Sequence, residues 1–166
     1  MTNADLIIKE SENSGALWLG NYKASIDANF LIDNNISVII NCTKDIPYAF
    51  DCNLIEYFRI PVNDSQSEED MVTMERYFSI VLPFIFNKLI TEHKNVLVHC
   101  HAGAQRSACV VAAILFIIDR HINGEPEIDT MHKVINYIVK KRPIAFKYGI
   151  RINFKKSLES YFEFTF

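Results

Sequence analysis

The sequence predicts a single α/β domain: a central, mostly parallel mixed sheet of about five strands with helices on both faces. Three observations carry this. Apolar runs of strand length alternate along the chain with segments of helical spacing. Two of those runs, SVIINC and NVLVHC, are nearly unbroken apolar stretches, as expected of central strands covered on both sides. The 166 residues, 49% of them apolar, suffice for one proper hydrophobic core, so residues 1–166 are taken as one domain.

Taken in order, DLIIKE and ALWLG read as two short strands, the second ended by Gly20. SIDANFLIDNN has helical spacing through Ile26, Phe30 and Leu31, and stops at Asn34 and Asn35. SVIINC is a central strand, and LIEYFRIPV alternates as a further one. The polar segment NDSQSEED breaks the pattern. Ser67 with Asp70 three residues on then suits the start of a helix, EEDMVTMERYFSIVLPFIFNKLITEH. Pro83 lies inside that helix and is expected to kink it. NVLVHC is the last strand; Ser107 to His121 forms a helix closed at Asn123–Gly124. IDTMHKVINYIVKKR ends before Pro143, and RINFKKSLESYF makes the final helix.

Charge and cysteine content narrow the class. The net charge of -3 counts against a nucleic-acid binder, yet it hides an asymmetry. From Thr130 to Leu158 there is no acid, and eight of the seventeen lysines and arginines fall there. A chain of this size does not need disulfide staples, so Cys42, Cys52, Cys100 and Cys109 point to a reducing, intracellular and cytoplasmic setting. MTNADLIIKESEN carries acids and no basic leader, and the longest apolar run, Ala108 to Ile118, is too short to span a bilayer. The sequon at Asn41 lies inside an apolar run and is read as accidental.

The informative stretch is NVLVHCHAGAQRSACVVAAILFII. At its strand-to-helix junction, a helix beginning near Ser107 offers unpaired N–H groups and a partial positive charge. His101, Ala102, Gly103, Ala104 and Gln105, between Cys100 and Arg106, can curl their amides inward as an anion nest. Gly103 permits the tight backbone, and Arg106 can grip two phosphate oxygens with its planar fork. The same positive field favours a thiolate at Cys100, aimed at whatever the loop holds. Standing alone, a cysteine at a strand end is a small buried hydrophobe, which is how Cys109 is read. A metal site from HCH is disfavoured because consecutive side chains diverge. No Lys-Ser/Thr follows a glycine-rich stretch, which excludes an ordinary nucleotide P-loop.

HCHAGAQRS satisfies Cys-x5-Arg-Ser with a histidine before the cysteine, and it resembles the signature of cysteine-dependent protein tyrosine phosphatases. ALWLGNYKASIDANFLIDNNISVIINCT, RIPVNDSQSEED and VINYIVKKRPIAF…INFKKSLESY are similar to the opening, acid loop and closing segments of the small, atypical dual-specificity branch. The resemblance implies a phosphatase-like fold and a phosphoprotein phosphatase needing no metal or organic cofactor. Cys100 would attack phosphorus to give a cysteinyl-phosphate, while Arg106 and the loop amides hold the oxygens. Ser107 would stabilise the sulfur as it leaves. His99 would hydrogen-bond beneath the loop, and Asp64 would donate the proton and later accept one from water. Unaided, Asp64 could equally cap a turn, like Glu68 or Asp70; Asp45 is a weaker rival.

A lysine-free loop counts against inositol lipids, and the segment before GALWLG has room for only a short strand, not for an extended recognition loop. A shallow cleft open to phosphotyrosine, phosphoserine and phosphothreonine of protein substrates follows. The resemblance places the turn after IDTMHKVINYIVKKR beside the active-site mouth, so Arg142, with Lys147, is expected to engage a second phosphate or an acidic segment of the substrate. The family usually has Pro-Asn-x-x-Phe after the Arg-Pro turn, where this chain reads FKYGIRINF. Two alternatives stay open: an RNA 5′-phosphatase of the same fold, and a catalytically silent phosphoprotein-binding module. Cys42 or Cys52 could also serve as resolving partner to an oxidised Cys100.

Overall fold

The computed structural model describes residues 1–165. Five strands form one sheet in the order β1-β2-β5-β3-β4: β1 (Ala4–Ile8), β2 (Leu17–Gly20), β3 (Ile36–Asn41), β4 (Glu56–Arg59) and β5 (Asn95–His99). Only β1 runs antiparallel to its neighbour; β2, β5, β3 and β4 are parallel. The predicted mostly parallel sheet is therefore present, with β5 at its centre and every residue of β5 buried.

Helices α1 (Tyr22–Ser25), α2 (Ala28–Asp33), α3 (Glu68–Phe86), α4 (Arg106–Asn123), α5 (Thr130–Lys141) and α6 (Ile152–Phe162) complete the fold. Alternation along the strands sorts the two faces. Leu17, Leu19, Val38, Ile40, Val96 and Val98 meet the large core under α3–α6. Trp18, Ile39 and Leu97 turn the other way, toward Ala24 and Leu31 of the short helices. After edge strand β4 the chain crosses over through α3 and inserts β5 in the middle of the sheet. The C-terminal end of β5 is thereby flanked by those of β2 and β3, where parallel sheets present their loops to ligands.

Several local expectations need correction. The helix read across SIDANFLIDNN is two short helices, because Asn21 and Asp27 each accept an N-terminal backbone N–H and cap separate starts. Ile26 falls between them and is exposed. Pro83 lies inside α3, as expected. The helix continues to Phe86, and the irregularity follows as a π-helical turn over Asn87–Thr91. The strand read across LIEYFRIPV pairs only over Glu56–Arg59. Asn41 is buried, with its side chain tied to Thr43 and Ile46.

Candidate active site

Strand β5 delivers His99 and Cys100 to the sheet's C-terminal edge, and α4 begins at Arg106. The loop between them curls because its carbonyls all find partners outside the bowl. His101 O accepts from Tyr22 N (3.2 Å) and Ala104 O from Phe146 N (2.9 Å). Ala102 O and Gly103 O accept from the Arg142 guanidinium at 3.1 and 2.9 Å. In a trans peptide the C=O and the following N–H point opposite ways. Four carbonyls drawn outward therefore turn the N–H groups of residues 102–105 inward. Gly103 makes the turn with φ +68°, and a Cβ there would lie 2.5 Å from Gly20 O.

At the floor, Cys100 Sγ receives the Gly103 N–H at 3.2 Å and sits 3.1 Å from Ser107 Oγ. One loop amide and the Ser107 hydroxyl thus reach the sulfur. No side chain caps α4, so its first N–H groups stay directed at the bowl. Arg106 donates through Nη1 to Val62 O (3.2 Å), while its Nε is buried without a protein partner. The half-exposed guanidinium retains donors for an incoming oxyanion.

His99 is buried, with Nδ1 3.2 Å from Cys100 O. Burial pushes its pKa down to about 4, and the charges of Arg59 and Arg106 push the same way against the carbonyl bond. The imidazole is neutral at pH 7, so Nδ1 can donate to the carbonyl beside the nucleophile. His101 is exposed and packs against Tyr22, their rings 5.0 Å apart. Gln105 points away from the bowl: its Nε2 donates to Gly149 O, and its Oε1 accepts from Arg151 N, both at 3.0 Å.

Arg142 is the main correction. Expected at the cleft to meet a second phosphate, it is 1% exposed, and its donors are spent on Ala102 O, Gly103 O, Thr2 O and Asp5 Oδ2. It cannot reach a substrate. It clamps the back of the phosphate loop to β1. Lys147, its expected partner in that role, lies exposed in the loop that follows.

Asp64 lies beyond β4, an exposed residue whose Oδ1 is 2.7 Å from Arg151 Nε. The Val62–Arg106 bond lays the segment that carries it against the phosphate loop. Two residues set this loop: Asp70, which the sequence offered only as a helix-start or turn acid, and Asn153, which it did not single out. Asp70 does not return its carboxylate to Ser67 as a capping box would. Buried, it accepts instead from Asn63 N (3.0 Å) and Ser65 N (3.2 Å), and from Ser65 Oγ, bracketing Asp64. Asn153 donates to Ser65 O at 2.7 Å. An acid three residues after a serine reads equally as a helix start, so nothing local separates the two uses.

Cys42 follows β3 and donates its N–H to His99 O (2.8 Å), beside Cys100; burial raises its pKa well above the ordinary thiol value, and the neighbouring Cys100 adds to this. Cys109 is buried likewise, Cys52 is exposed, and all four cysteines are free. No described helix is long and apolar enough to cross a membrane.

A family model described as the dual specificity phosphatase catalytic domain matches residues 17–163. The chain is 35% identical over 102 residues to the dual specificity protein phosphatase Mpk3 of Drosophila melanogaster, covering 61% of this chain and 24% of that one. It is 33% identical over 100 residues to the human dual specificity protein phosphatase 9, covering 60% and 25%. The chain thus spans about a quarter of the length of these relatives. The crystal structure of human DUSP28 shares the fold with a TM-score of 0.69 at 22% identity, covering 89% of this chain and 91% of that one.

Proposed function

The chain belongs to the dual specificity phosphatase catalytic-domain family, and from that premise we propose that it hydrolyses phosphotyrosine, phosphoserine and phosphothreonine in proteins through a cysteinyl-phosphate. The observation that carries the reading is the floor of the loop: Cys100 Sγ, within hydrogen-bond reach of Gly103 N and Ser107 Oγ, lies under inward-turned amides.

In the first step Cys100 Sγ attacks phosphorus, an S–P bond forms and the P–O bond to the leaving group breaks. Asp64 supplies the proton to the departing oxygen. Arg106 and the amides of residues 102–105 hold the equatorial oxygens as negative charge spreads over them. In the second step water attacks phosphorus, Asp64 takes a proton from it, and the sulfur leaves as thiolate while the Ser107 hydroxyl donates to it. A neutral His99 supports the Cys100 carbonyl and exchanges no proton in either step. The fit to a protein-borne phosphate rests on the lysine-free loop and on Tyr22 and His101, which form one aromatic wall beside it. Four unpaired cysteines favour a reducing, intracellular setting.

An aryl phosphate assay with and without vanadate tests the reading. Turnover that vanadate abolishes is expected. Cys100→Ser should stop turnover yet still retain a phosphopeptide, and Arg106→Lys should be crippled, because a point charge cannot replace the planar fork. Asp64→Asn should depress kcat far more than it changes KM. An inert wild-type chain that still bound phosphopeptide would instead mark a silent binding module. Faster release of phosphate from 5′-triphosphate RNA than from phosphotyrosine peptide would mark an RNA phosphatase.

A further inference from the structure

Arg151 is the residue through which the two working loops meet. Its backbone N–H donates to Gln105 Oε1 of the phosphate loop at 3.0 Å, and Gln105 Nε2 in turn holds Gly149 O. Its side chain extends the other way, placing Nε 2.7 Å from Asp64 Oδ1, with both side chains about one-third exposed. The contact is an ion pair more than an aligned hydrogen bond, since no N–H points along it. Two residues on, Asn153 is buried and donates to Ser65 O. Phe154 then anchors the start of α6 in the core, fully buried. With Phe154 as the phenylalanine of Pro-Asn-x-x-Phe, Arg151 stands where that pattern has asparagine, a side chain too short and uncharged to form this pair.

We infer that Arg151 is the positioning residue of the proton donor, holding the Asp64 carboxylate at a fixed reach from the phosphate loop. This rests on the phosphatase reading above and goes beyond it. Three restraints converge on the acid loop: Asp70 on the backbone of Asn63 and Ser65, Asn153 on Ser65 O, and Arg151 on the carboxylate itself. The first two fix the peptide but leave the Asp64 side chain free to turn. Among the described residues, Arg151 is the one paired with the carboxylate, and it sets its orientation. With the guanidinium against Oδ1, Oδ2 is the oxygen left to face the leaving group. The tie to Gln105 makes this orientation depend on the same loop that is to hold the phosphate, so Arg151 couples the acid to the phosphate loop.

The test measures kcat/KM, which reports formation of the cysteinyl-phosphate, on two esters that differ in their need for a proton. Dinitrophenyl phosphate expels a stable anion unaided; phenyl phosphate does not. Arg151→Ala is expected to lose at least about tenfold on phenyl phosphate and less than about threefold on the dinitrophenyl ester, a part of what a general acid supplies. Arg151→Lys should recover part of the loss, since it keeps a cation within reach. In an Asp64→Asn background, Arg151→Ala should add nothing. The ratio of the two losses is the readout, because partial unfolding lowers both esters alike. Equal losses on the two esters, or an additive loss in the Asp64→Asn background, would overturn the proposal and leave the phosphatase reading standing. A wild-type chain inert toward both esters would sink that reading first and this one with it.

Discussion

Replacing Arg142 by alanine probes the buried clamp most directly. The guanidinium is 1% exposed and donates at 2.8–3.2 Å to Asp5 Oδ2, Gly103 O, Ala102 O and Thr2 O. Removal leaves a partly buried carboxylate and two loop carbonyls without their donor, so the cost is about 3–5 kcal/mol, the range for breaking a buried pair from one side. For a domain of this size, at about 2–4 °C per kcal/mol, Tm should fall by roughly 6–20 °C. Arg142→Lys should fall between, because an ammonium cannot span acceptors on both sides of the planar fork. Asp5→Asn should cost less than either, since three backbone acceptors remain to the guanidinium. Thermal and urea unfolding measure this. Turnover of a singly and a doubly phosphorylated peptide separates the clamp from a substrate contact: a clamp lowers both equally. A Tm within about 2 °C of wild type, at the stated 2–4 °C per kcal/mol, would refute the clamp. So would a loss confined to the doubly phosphorylated peptide.

Other consequences are equally direct. His99 has a folded pKa of about 4 against 6.5 unfolded, so the unfolded chain takes up the proton first on acidification. Its contribution to stability is complete above pH 6.5 and is lost as the pH falls toward 4, a loss of roughly 2–3 kcal/mol by pH 4.5 at about 1.36 kcal/mol per pH unit. Urea unfolding should show this component in wild type and not in His99→Gln, and identical pH slopes in the two would contradict it. Gly103→Ala forces an alanine to φ +68° and a Cβ to within 2.8 Å of Arg142 Nη2, so it should lose turnover and about 1–3 kcal/mol from the backbone alone; an active variant of unchanged Tm would show the loop to be freer than described. Iodoacetamide at neutral pH should modify Cys52 and spare Cys42 and Cys109, whose thiols burial keeps protonated, until urea is added. Peptide mass mapping that found Cys42 alkylated as fast as Cys52 would contradict its burial.

The sheet, its central strand and the loop from His99 to Ser107 were legible in the residues alone. The central strands announced themselves as near-unbroken apolar runs, and the loop is legible because its parts are adjacent. When strand, bowl and helix start are consecutive, backbone geometry alone brings sulfur, amides and hydroxyl together. The acid was legible as a position, Asp64 after a strand, but not as a restrained side chain. Its partner Arg151, and the Asn153 and Asp70 that hold the residues on either side of it, come from helix starts that sequence patterning reads as solvated caps and basic faces. Arg142 shows the limit most clearly. In an acid-free stretch it read as a cation waiting for phosphate, yet its partner Asp5 lies 137 residues away, in an edge strand. Only tertiary packing decides whether a long cationic side chain faces water or backbone, because the outcome depends on which distant carbonyls and carboxylates the core brings within its reach.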